Sequence, residues 1–277
     1  MSDSDERELL LGKTTPSAQR YAPELLYPIA REQARGTLGI SSELPFLGVD
    51  VWHAYELSWL DGQGRPVACV GRFSIPIESP NLVESKSFKL YLNSLNSERF
   101  DSTSSLIDRV QSDVSAVAGA AVALDVLALD DPSLAGVSLP GTCIDTCSYV
   151  ASDREPEADM LQASNSTSGA VVEESLYSHL LRSLCPVTGQ PDWASVLVTY
   201  RGQPLDHDSL LSYLVAYREH QEFHEQCVER MFCDLYERLS PEFLQVQAFY
   251  TRRGGMDINP FRSTNRQATP LGRMNRQ

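Results

Sequence analysis

Apolar and polar residues alternate in several stretches of the chain, and this period of two predicts β-strands. The alternation covers residues 49–59 and again residues 67–77. The polar, glycine-containing residues 61–64 between them predict a turn, so we expect a hairpin. Further strands are predicted at 121–129, 196–200 and 243–251.

A helical period of apolar residues appears between these strands. It begins at residues 84–95, where Phe88, Leu92 and Leu95 form one stripe. Further helices are predicted at 104–118, 206–220 and 224–239. Each half of the chain thus has strands, then two helices, then a strand. This order predicts an α+β fold with an antiparallel sheet and a helix pair on one face.

The length of 277 residues suits two such modules in tandem. Residues 1–45 are rich in Pro, Ser and charge and are predicted to form an extended arm with a short helix. The N-terminal module is placed at 46–150 and the C-terminal module at 171–277. Residues 151–170 between them carry Asp, Glu, Ser, Thr and Asn, with few side chains suited to burial, and are predicted to be a connector.

Composition excludes several classes of function. A net charge of −14 argues against binding the phosphate backbone of a nucleic acid, which needs a basic surface. No apolar run reaches the roughly 20 residues that span a bilayer, so no membrane partner is expected. The first residues are acidic where a secretory signal would be basic and then apolar, so we expect a cytoplasmic protein.

The six cysteines lack the paired spacings of a disulfide framework. Cys143 and Cys147 form a C-x3-C pair, but no second Cys/His pair at zinc-finger spacing accompanies them. We therefore expect a structural role for both and no metal site. Two of the three lysines, Lys86 and Lys89, lie together. On so acidic a protein they indicate either an anion site or a solvated helix face.

The candidate chemistry begins at Cys185. Pro186 favours an extended conformation at Cys185, and Thr-Gly followed by Gln-Pro predicts a chain reversal before Asp192. A thiol and an acid across a short turn could attack a substrate atom and deliver a proton to it. The alternative is a buried cysteine at a strand end, with Asp192 opening the next turn.

Three further clusters have ordinary structural explanations when taken singly. Glu84 and the pair His224-Glu225 lie at predicted helix starts, where capping and the helix dipole favour acids. Two arginines followed by two glycines at 252–255 would let guanidinium groups and backbone approach a phosphate, but a basic strand end has the same sequence.

Together these clusters resemble one family closely. The segments are residues 84–91 (ESKSFKLY), 185–193 (CPVTGQPDW), 224–225 (HE) and 252–260 (RRGGMDINP), in that order. They resemble the NADPH-dependent 7-cyano-7-deazaguanine reductases of tRNA queuosine biosynthesis, in their longer two-domain form, from about Pro45 to Ser263. The resemblance implies the tunnelling fold in two tandem modules, a homodimer, NADPH as cofactor and a deazaguanine nitrile as substrate.

The resemblance also implies a mechanism, in which a nitrile is reduced to a primary amine. Cys185 would add to the nitrile carbon to give a covalent thioimide, and Asp192 would protonate the nitrogen. An ordinary aspartate is ionised at neutral pH, so Asp192 must first gain a proton, for example from the thiol. Burial beside Trp193 and the substrate is expected to raise its pKa and favour that exchange. Hydride transfer, loss of the sulfur and a second hydride transfer would complete the four-electron reduction.

The same resemblance implies the binding residues and leaves two alternatives open. The resemblance assigns substrate binding to Glu84, Ser85, Lys86, His224 and Glu225. Cofactor binding falls to Lys86, Ser87, Arg253 and Gly254. The alternatives are a thiol-dependent hydrolase of nitriles or amides and a non-catalytic purine- or pterin-binding module.

Overall fold

The structure is a computed structural model that describes residues 20–41, 43–151, 153–164 and 171–277. The first 19 residues of the predicted arm and residues 165–170 of the predicted connector lie outside these ranges. The described strands are β1 Pro28–Ala30, β2 Leu47–Leu60, β3 Pro66–Pro76, β4 Asn81–Val83, β5 Ala123–Leu127, β6 Thr142–Cys143, β7 Val172–Leu184, β8 Pro191–Gly202, β9 Phe243–Tyr250 and β10 Met256–Ser263. The described α-helices are α1 Arg31–Thr37, α2 Ser85–Ser94, α3 Thr103–Ala118, α4 His207–Ala216 and α5 His224–Leu239.

The chain divides into two compact units whose segments interleave along the sequence. The first unit comprises the described part of Met1–Glu32 together with Trp52–Asp130 and Arg253–Met256. The second unit comprises the described parts of Gln33–Val51, Asp131–Arg252 and Asp257–Gln277. The module boundaries predicted at 45, 150 and 170 stay predictions.

The first unit contains strands β2, β3 and β5 and the helix pair α2 and α3. Strands β3 and β5 are antiparallel neighbours, and a turn at Asp61 connects β2 to β3 as predicted. The ring of Phe88, on α2, lies edge-on to Phe73 with centroids 4.9 Å apart. Helix α3 ends at Gly119, whose φ of 73° is a conformation that favours glycine. The predicted helical stripe therefore packs on the sheet.

The second unit contains strands β6 to β10 in the order β10-β9-β8-β7-β6, with helices α4 and α5. The pairs β7–β8, β8–β9 and β9–β10 are antiparallel, while the short β6 is parallel to β7. Three side chains spaced by four along α5, Cys227, Met231 and Leu235, are buried as their period predicts. The predicted α+β class, with an antiparallel sheet and a helix pair, is confirmed.

Two long strands were not predicted from the sequence. Strand β7 leads into Cys185, and β10 follows the strand that was predicted to be the last, so that prediction is wrong. Every residue of β10 is buried, which removes the alternation that identifies a half-buried strand. Arg262 also makes the strand hard to recognise, because a charged residue is not expected in a buried strand. Its burial is possible because its guanidinium pairs with Asp50 at 2.7 Å and Glu229 at 2.8 Å.

The described part of the predicted connector contains more buried structure than its composition indicates. Leu161 is fully buried, and the carbonyl of Gln162 accepts a hydrogen bond from the Asp206 N–H at 2.8 Å. None of the helices in the described part of the chain combines the length and the apolar composition that a bilayer crossing requires.

Candidate active site

The Cys185 turn connects β7 to β8 in the second unit. The last residue of β7, Leu184, pairs with Pro191, the first residue of β8. Within the loop the N–H of Cys185 donates to the Gln190 carbonyl, and the Cys185 carbonyl accepts from Gly189, both at 2.9 Å. Gly189 has a φ of 65°, which a residue with a side chain rarely adopts. The predicted chain reversal is confirmed.

Cys185 and Asp192 lie on either side of this reversal. Cys185 follows the end of β7 and retains 7% of its exposed surface. Asp192 is the second residue of β8, opposite Ser183, and is 3% exposed. Asp192 therefore belongs to the strand and does not open a turn. Burial of a carboxyl group costs free energy unless it is hydrogen-bonded or paired with a charge.

His224 is the partner that the structure gives to Asp192. Its Nε2 lies 3.2 Å from Asp192 Oδ2, and its ring stacks on Tyr250 with centroids 3.8 Å apart and planes inclined by 12°. The buried Nδ1 has no hydrogen-bond partner among the described residues. Asp192 and His224, 32 positions apart in sequence, thus form one acid–imidazole pair.

Tyr250 was missed by the sequence reading of the site. It lies on β9 opposite Ala194 of β8, two residues from Asp192, and it is fully buried. Alternation along β9 identifies Tyr250 as a core residue, but no sequence pattern shows that it stacks on His224. Stacking holds the imidazole plane beside the Asp192 carboxyl group.

The expectation for Trp193 requires a correction. Successive strand residues point to opposite faces of a sheet, so Trp193 does not share the face of Asp192. Its side chain is 36% exposed. The guanidinium groups of Arg182, Arg218 and Arg276 each lie within 5.9 Å of its ring centroid. The burial of Asp192 therefore does not come from Trp193.

Glu225 lies at the start of α5, directly after His224, and only 3% of it is exposed. Gln226 provides the capping hydrogen bond at this N-terminus, because its Oε1 accepts from the Phe223 N–H at 3.2 Å. The helix therefore has a capping contact that does not involve the glutamate. The structure brings Cys185, Asp192, His224 and Glu225 into the second unit.

A charged cluster that the sequence reading missed borders the Cys185 turn. The His220 carbonyl accepts from the Leu184 N–H at 2.8 Å, and the His220 ring contacts Glu155 and, at 3.0 Å, Glu222. Glu222 also pairs with Arg230. Burial alone would lower the pKa of His220, but Glu222 and Glu155 raise it overall. Burial opposes ionisation of Glu222, yet His220 and Arg230 lower its pKa overall.

Glu84, in the first unit, is the N-cap of α2. Its two carboxylate oxygens accept from the N–H groups of Lys86 at 2.8 Å and Ser87 at 2.7 Å. Burial raises the pKa of the Glu84 carboxyl, although these two hydrogen bonds act in the opposite direction. The Ser87 hydroxyl is also engaged, since it donates to the Glu84 carbonyl and accepts from the Tyr27 N–H. Ser85 and Lys86 are half-buried.

Two of the predicted cofactor segments meet in the first unit. The ammonium of Lys89, on α2, lies 3.2 Å from Glu56 and also donates to the Gly254 carbonyl. Gly254 and Gly255 have φ values of 58° and 81°, and a Cβ on Gly255 would lie 2.5 Å from the Glu56 carboxyl carbon. These residues line a shallow depression of the surface. Here the Glu56 carboxylate, an anion itself, is the partner of the Lys89 ammonium.

Comparisons with known proteins agree with this chemistry. Residues 17–126 match the family described as "Nitrile reductase, 7-cyano-7-deazaguanine-reductase N-term", and residues 191–269 match "QueF-like protein". An NADPH-dependent 7-cyano-7-deazaguanine reductase from Dechloromonas aromatica is 52% identical over 94% of this chain and 92% of its own. One from Chromohalobacter salexigens is 48% identical over 94% of each chain.

A solved structure, the apo form of the archaeosine synthase QueF-Like, matches 38% of this chain and 100% of its own chain at 17% identity, with a TM-score of 0.31. The family matches and the two reductases define the class of the protein, which is a nitrile reductase and thus an oxidoreductase. Within that class, the chain belongs to the NADPH-dependent 7-cyano-7-deazaguanine reductase family. The family resemblance in the motifs is confirmed.

Proposed function

We propose that this chain reduces the nitrile of 7-cyano-7-deazaguanine to the primary amine of 7-aminomethyl-7-deazaguanine, with NADPH as reductant, in queuosine biosynthesis. The observation that carries the proposal is the Cys185 turn, which is followed by an aspartate 3.2 Å from His224. The reductases at 52% and 48% identity, each matched over nearly its full length, support it.

The nucleophile is Cys185. A thiolate is the strongest side-chain nucleophile near neutral pH, and a nitrile carbon is a modest electrophile. A carbon–sulfur bond forms, one π bond of the nitrile opens, and its electron pair moves to nitrogen. The proton lost by the thiol replaces the one delivered to that nitrogen, so addition to the thioimide is balanced without an oxidant or reductant.

Asp192 carries this proton. It is buried across the turn from Cys185 and contacts His224, which can share the proton through Nε2. A general acid positioned in this way contributes about 10²- to 10⁴-fold to a rate. Tyr250 fixes the imidazole plane by stacking, so the pair is held in place before the substrate arrives.

The guanine-like edge of the substrate presents N–H donors, which carboxylates accept well. We assign this edge to Glu84 and Glu225, with Ser85, Lys86 and His224 as further substrate contacts. Glu225 is buried at the start of α5, directly after His224, and this placement supports its part. Glu84 has lone pairs beyond the two that its cap contacts use.

We assign the cofactor to Lys86, Ser87, Arg253 and Gly254. Two molecules of NADPH, bound one after the other, would each supply one of the two hydrides that the four-electron reduction consumes. Positive charge at Lys86 and Arg253 favours the extra phosphate that distinguishes NADPH from NADH. Lys89 lies next to Gly254 and pairs with Glu56, so a phosphate bound at this position would compete with that carboxylate. Ser87 has weaker support, since its hydroxyl already has two partners.

The remaining assignments concern the surroundings of the protein. We propose a homodimer, as the resemblance implies, in the cytoplasm and without nucleic-acid or membrane partners. The six free cysteines are typical of a reducing compartment. The net charge of −14 disfavours a polyanionic partner.

The function is tested by following NADPH oxidation with and without 7-cyano-7-deazaguanine and identifying the product. We expect oxidation only with the nitrile, the amine as product, and a gain of the nitrile's mass on the chain when NADPH is withheld. Cys185→Ala should abolish both turnover and adduct, whereas Cys69→Ala, on β3 in the first unit, should retain both. Acid or amide formation without NADPH oxidation would instead establish a hydrolase.

A further inference from the structure

Three potential metal ligands from two segments of the chain converge at the β6 edge of the second unit. The sulfur of Cys143, a carboxylate oxygen of Asp145 and a ring nitrogen of His179 all lie within 4.8 Å of one another. Strand β6 pairs with β7, so that Cys143 faces Tyr177, two residues before His179. Ile144 is fully buried, which leaves its neighbours Cys143 and Asp145 on the opposite, accessible side of the segment.

A β-bulge turns His179 toward this segment. The pairing of β7 with β8 shifts between Ser178, opposite Val196, and Leu181, opposite Ala194, so two residues of β7 face Ser195 alone. Bulges redirect side chains in this way and are enriched beside functional sites. The Nδ1 of His179 lies 2.8 Å from the hydroxyl of buried Ser195, which orients the ring.

This contact prepares the other ring nitrogen for a metal. Histidine ligands of metals characteristically use one nitrogen for the ion and the other for an orienting hydrogen bond. The Asp145 carboxylate is oriented too, since it accepts from the Ser178 hydroxyl at 2.7 Å and the His179 N–H at 3.1 Å. Those two hydrogen bonds are a sufficient structural reason for an acid at Asp145. They give no reason for the thiol of Cys143 beside it.

We infer that Cys143, Asp145 and His179 bind one zinc-like divalent transition-metal ion. Thiolate, imidazole and carboxylate together suit zinc, and hard ions such as Mg²⁺ prefer oxygen ligands alone. Three protein ligands with an exposed Cys143 leave a fourth position for water. Ligand atoms around zinc lie about 3.5 Å apart, given bond lengths of about 2.0–2.3 Å. The three ligand atoms lie within 4.8 Å of one another, so each separation must shrink by at most about 1.3 Å.

The inference departs from the expectation that the chain has no metal site. That expectation rested on the spacing of cysteines and histidines along the sequence, which pairs Cys143 with Cys147. The fold instead pairs Cys143 with a histidine from β7, and Cys147 is not a member of the group. The site is separate from the Cys185 turn in sequence and does not depend on the proposed nitrile reduction.

The test measures metal content and affinity. Tag-free full-length protein is stripped with a chelator and then titrated with Zn²⁺, and bound metal is measured by elemental analysis after dialysis. We expect one zinc per chain. Cys143→Ser and His179→Gln should each weaken zinc binding by at least about 100-fold, and Ser195→Ala, which removes only the orienting bond, by about 10- to 100-fold.

Two controls separate this site from adventitious binding. Cys147→Ser, in the same segment, and Cys185→Ala, in the proposed active site, should keep the wild-type zinc affinity. With Co²⁺ as probe, the wild type should show a sulfur-to-cobalt charge-transfer band that Cys143→Ser lacks. No zinc in the wild type, or zinc that survives both Cys143→Ser and His179→Gln, would overturn the inference. Loss of zinc in either control would do the same, whatever the fate of reductase activity.

Discussion

The starts of α2 and α5 look alike in sequence, yet their glutamates have different structural roles. Glu84 precedes the first helical residue, and both of its oxygens accept backbone N–H groups of α2. At α5 the preceding residue is Phe223, which cannot cap, and Gln226 provides the capping contact. Glu225 is the second helical residue, one position past that start.

The difference separates an acid that its helix needs, whatever else that acid binds, from an acid that its helix does not need. An N-cap carboxylate stabilises its helix regardless of function. The formation of α5 does not require a buried acid at Glu225, and burial of a carboxylate costs free energy. Glu225 directly follows His224, a member of the Asp192–His224 pair, so we propose that it serves the site rather than the helix.

The largest expected effect concerns Asp192, the acid that pairs with His224 at the start of α5. Asp192→Asn cannot carry the proton, so thioimide formation should slow by about 10²- to 10⁴-fold. Stopped-flow absorbance of the adduct measures this rate with NADPH withheld. Asp125→Asn, at an exposed ion pair with Arg72, is the control and should leave the rate unchanged. An unchanged rate in Asp192→Asn would remove the proton role from this pair.

A pair of glutamine substitutions tests the comparison itself. Glu225→Gln should weaken binding of the cyano compound by about 10- to 100-fold, the effect of losing a charge-assisted hydrogen bond, with little change in the free energy of unfolding. Glu84→Gln keeps one carbonyl oxygen and loses one cap contact, so it should lower the free energy of unfolding by about 1 kcal/mol. Calorimetric titration and denaturant unfolding measure the two quantities.

The comparison fails if the effects are reversed. A Glu225→Gln chain that binds the nitrile normally and unfolds more easily would make Glu225 a structural residue. A Glu84→Gln chain of unchanged stability would show that its capping contacts contribute nothing. Glu78→Gln, another acid of the first unit outside any helix, controls for charge alone.

Local sequence signals predicted most of the elements, because each of those elements has its own period or turn residues. The hairpin of β2 and β3, four helices and the Cys185 reversal follow from alternation, stripes and Pro-Gly punctuation. Strand β10 could not be predicted in this way. Its buried Arg262 requires partners at Asp50 and Glu229, which are distant in sequence.

The site was predictable in its residue types and unpredictable in its contacts. Motifs identified Cys185, Asp192 and His224, but the stacking of His224 on Tyr250 depends on the register of β8 and β9. The cluster around His220 depends likewise on Glu155, from a segment predicted to be a mere connector. Long-range pairing of polar side chains leaves no periodic trace in a sequence.

A third prediction sharpens the role of the first unit. Arg253→Ala should raise the KM for NADPH by about tenfold or more, as expected for a lost phosphate contact, while the affinity for the cyano compound stays unchanged. Steady-state kinetics and titration of the nitrile separate these quantities. Arg65→Ala, at an exposed ion pair with Asp61, is the matched control. Equal losses of both affinities would contradict a cofactor role.

The smallest expected effect is a pH dependence of stability in the second unit. Glu222 and Glu155 raise the pKa of His220. Its contribution to stability is therefore complete below the unfolded value of about 6.5 and is lost as pH rises through the raised folded value. Glu222 has the opposite sign, because its pKa is lowered, so its contribution is lost as acid protonates it.

His220→Gln should therefore remove the alkaline decline and keep the acidic one. The difference should stay below about 1 kcal/mol, the range for partly exposed ion pairs. Denaturant unfolding between about pH 3 and pH 9 measures it, because the contribution of Glu222 is lost only below the pKa of a free glutamate, about 4.3. His207→Gln is the matched control, because its nearest carboxylate, Glu174, is 3.6 Å away, beyond close hydrogen-bond distance. If His220→Gln keeps the alkaline decline in stability, protonation of His220 is not its cause. The ion pair with Arg230 would then be the contact that stabilises Glu222.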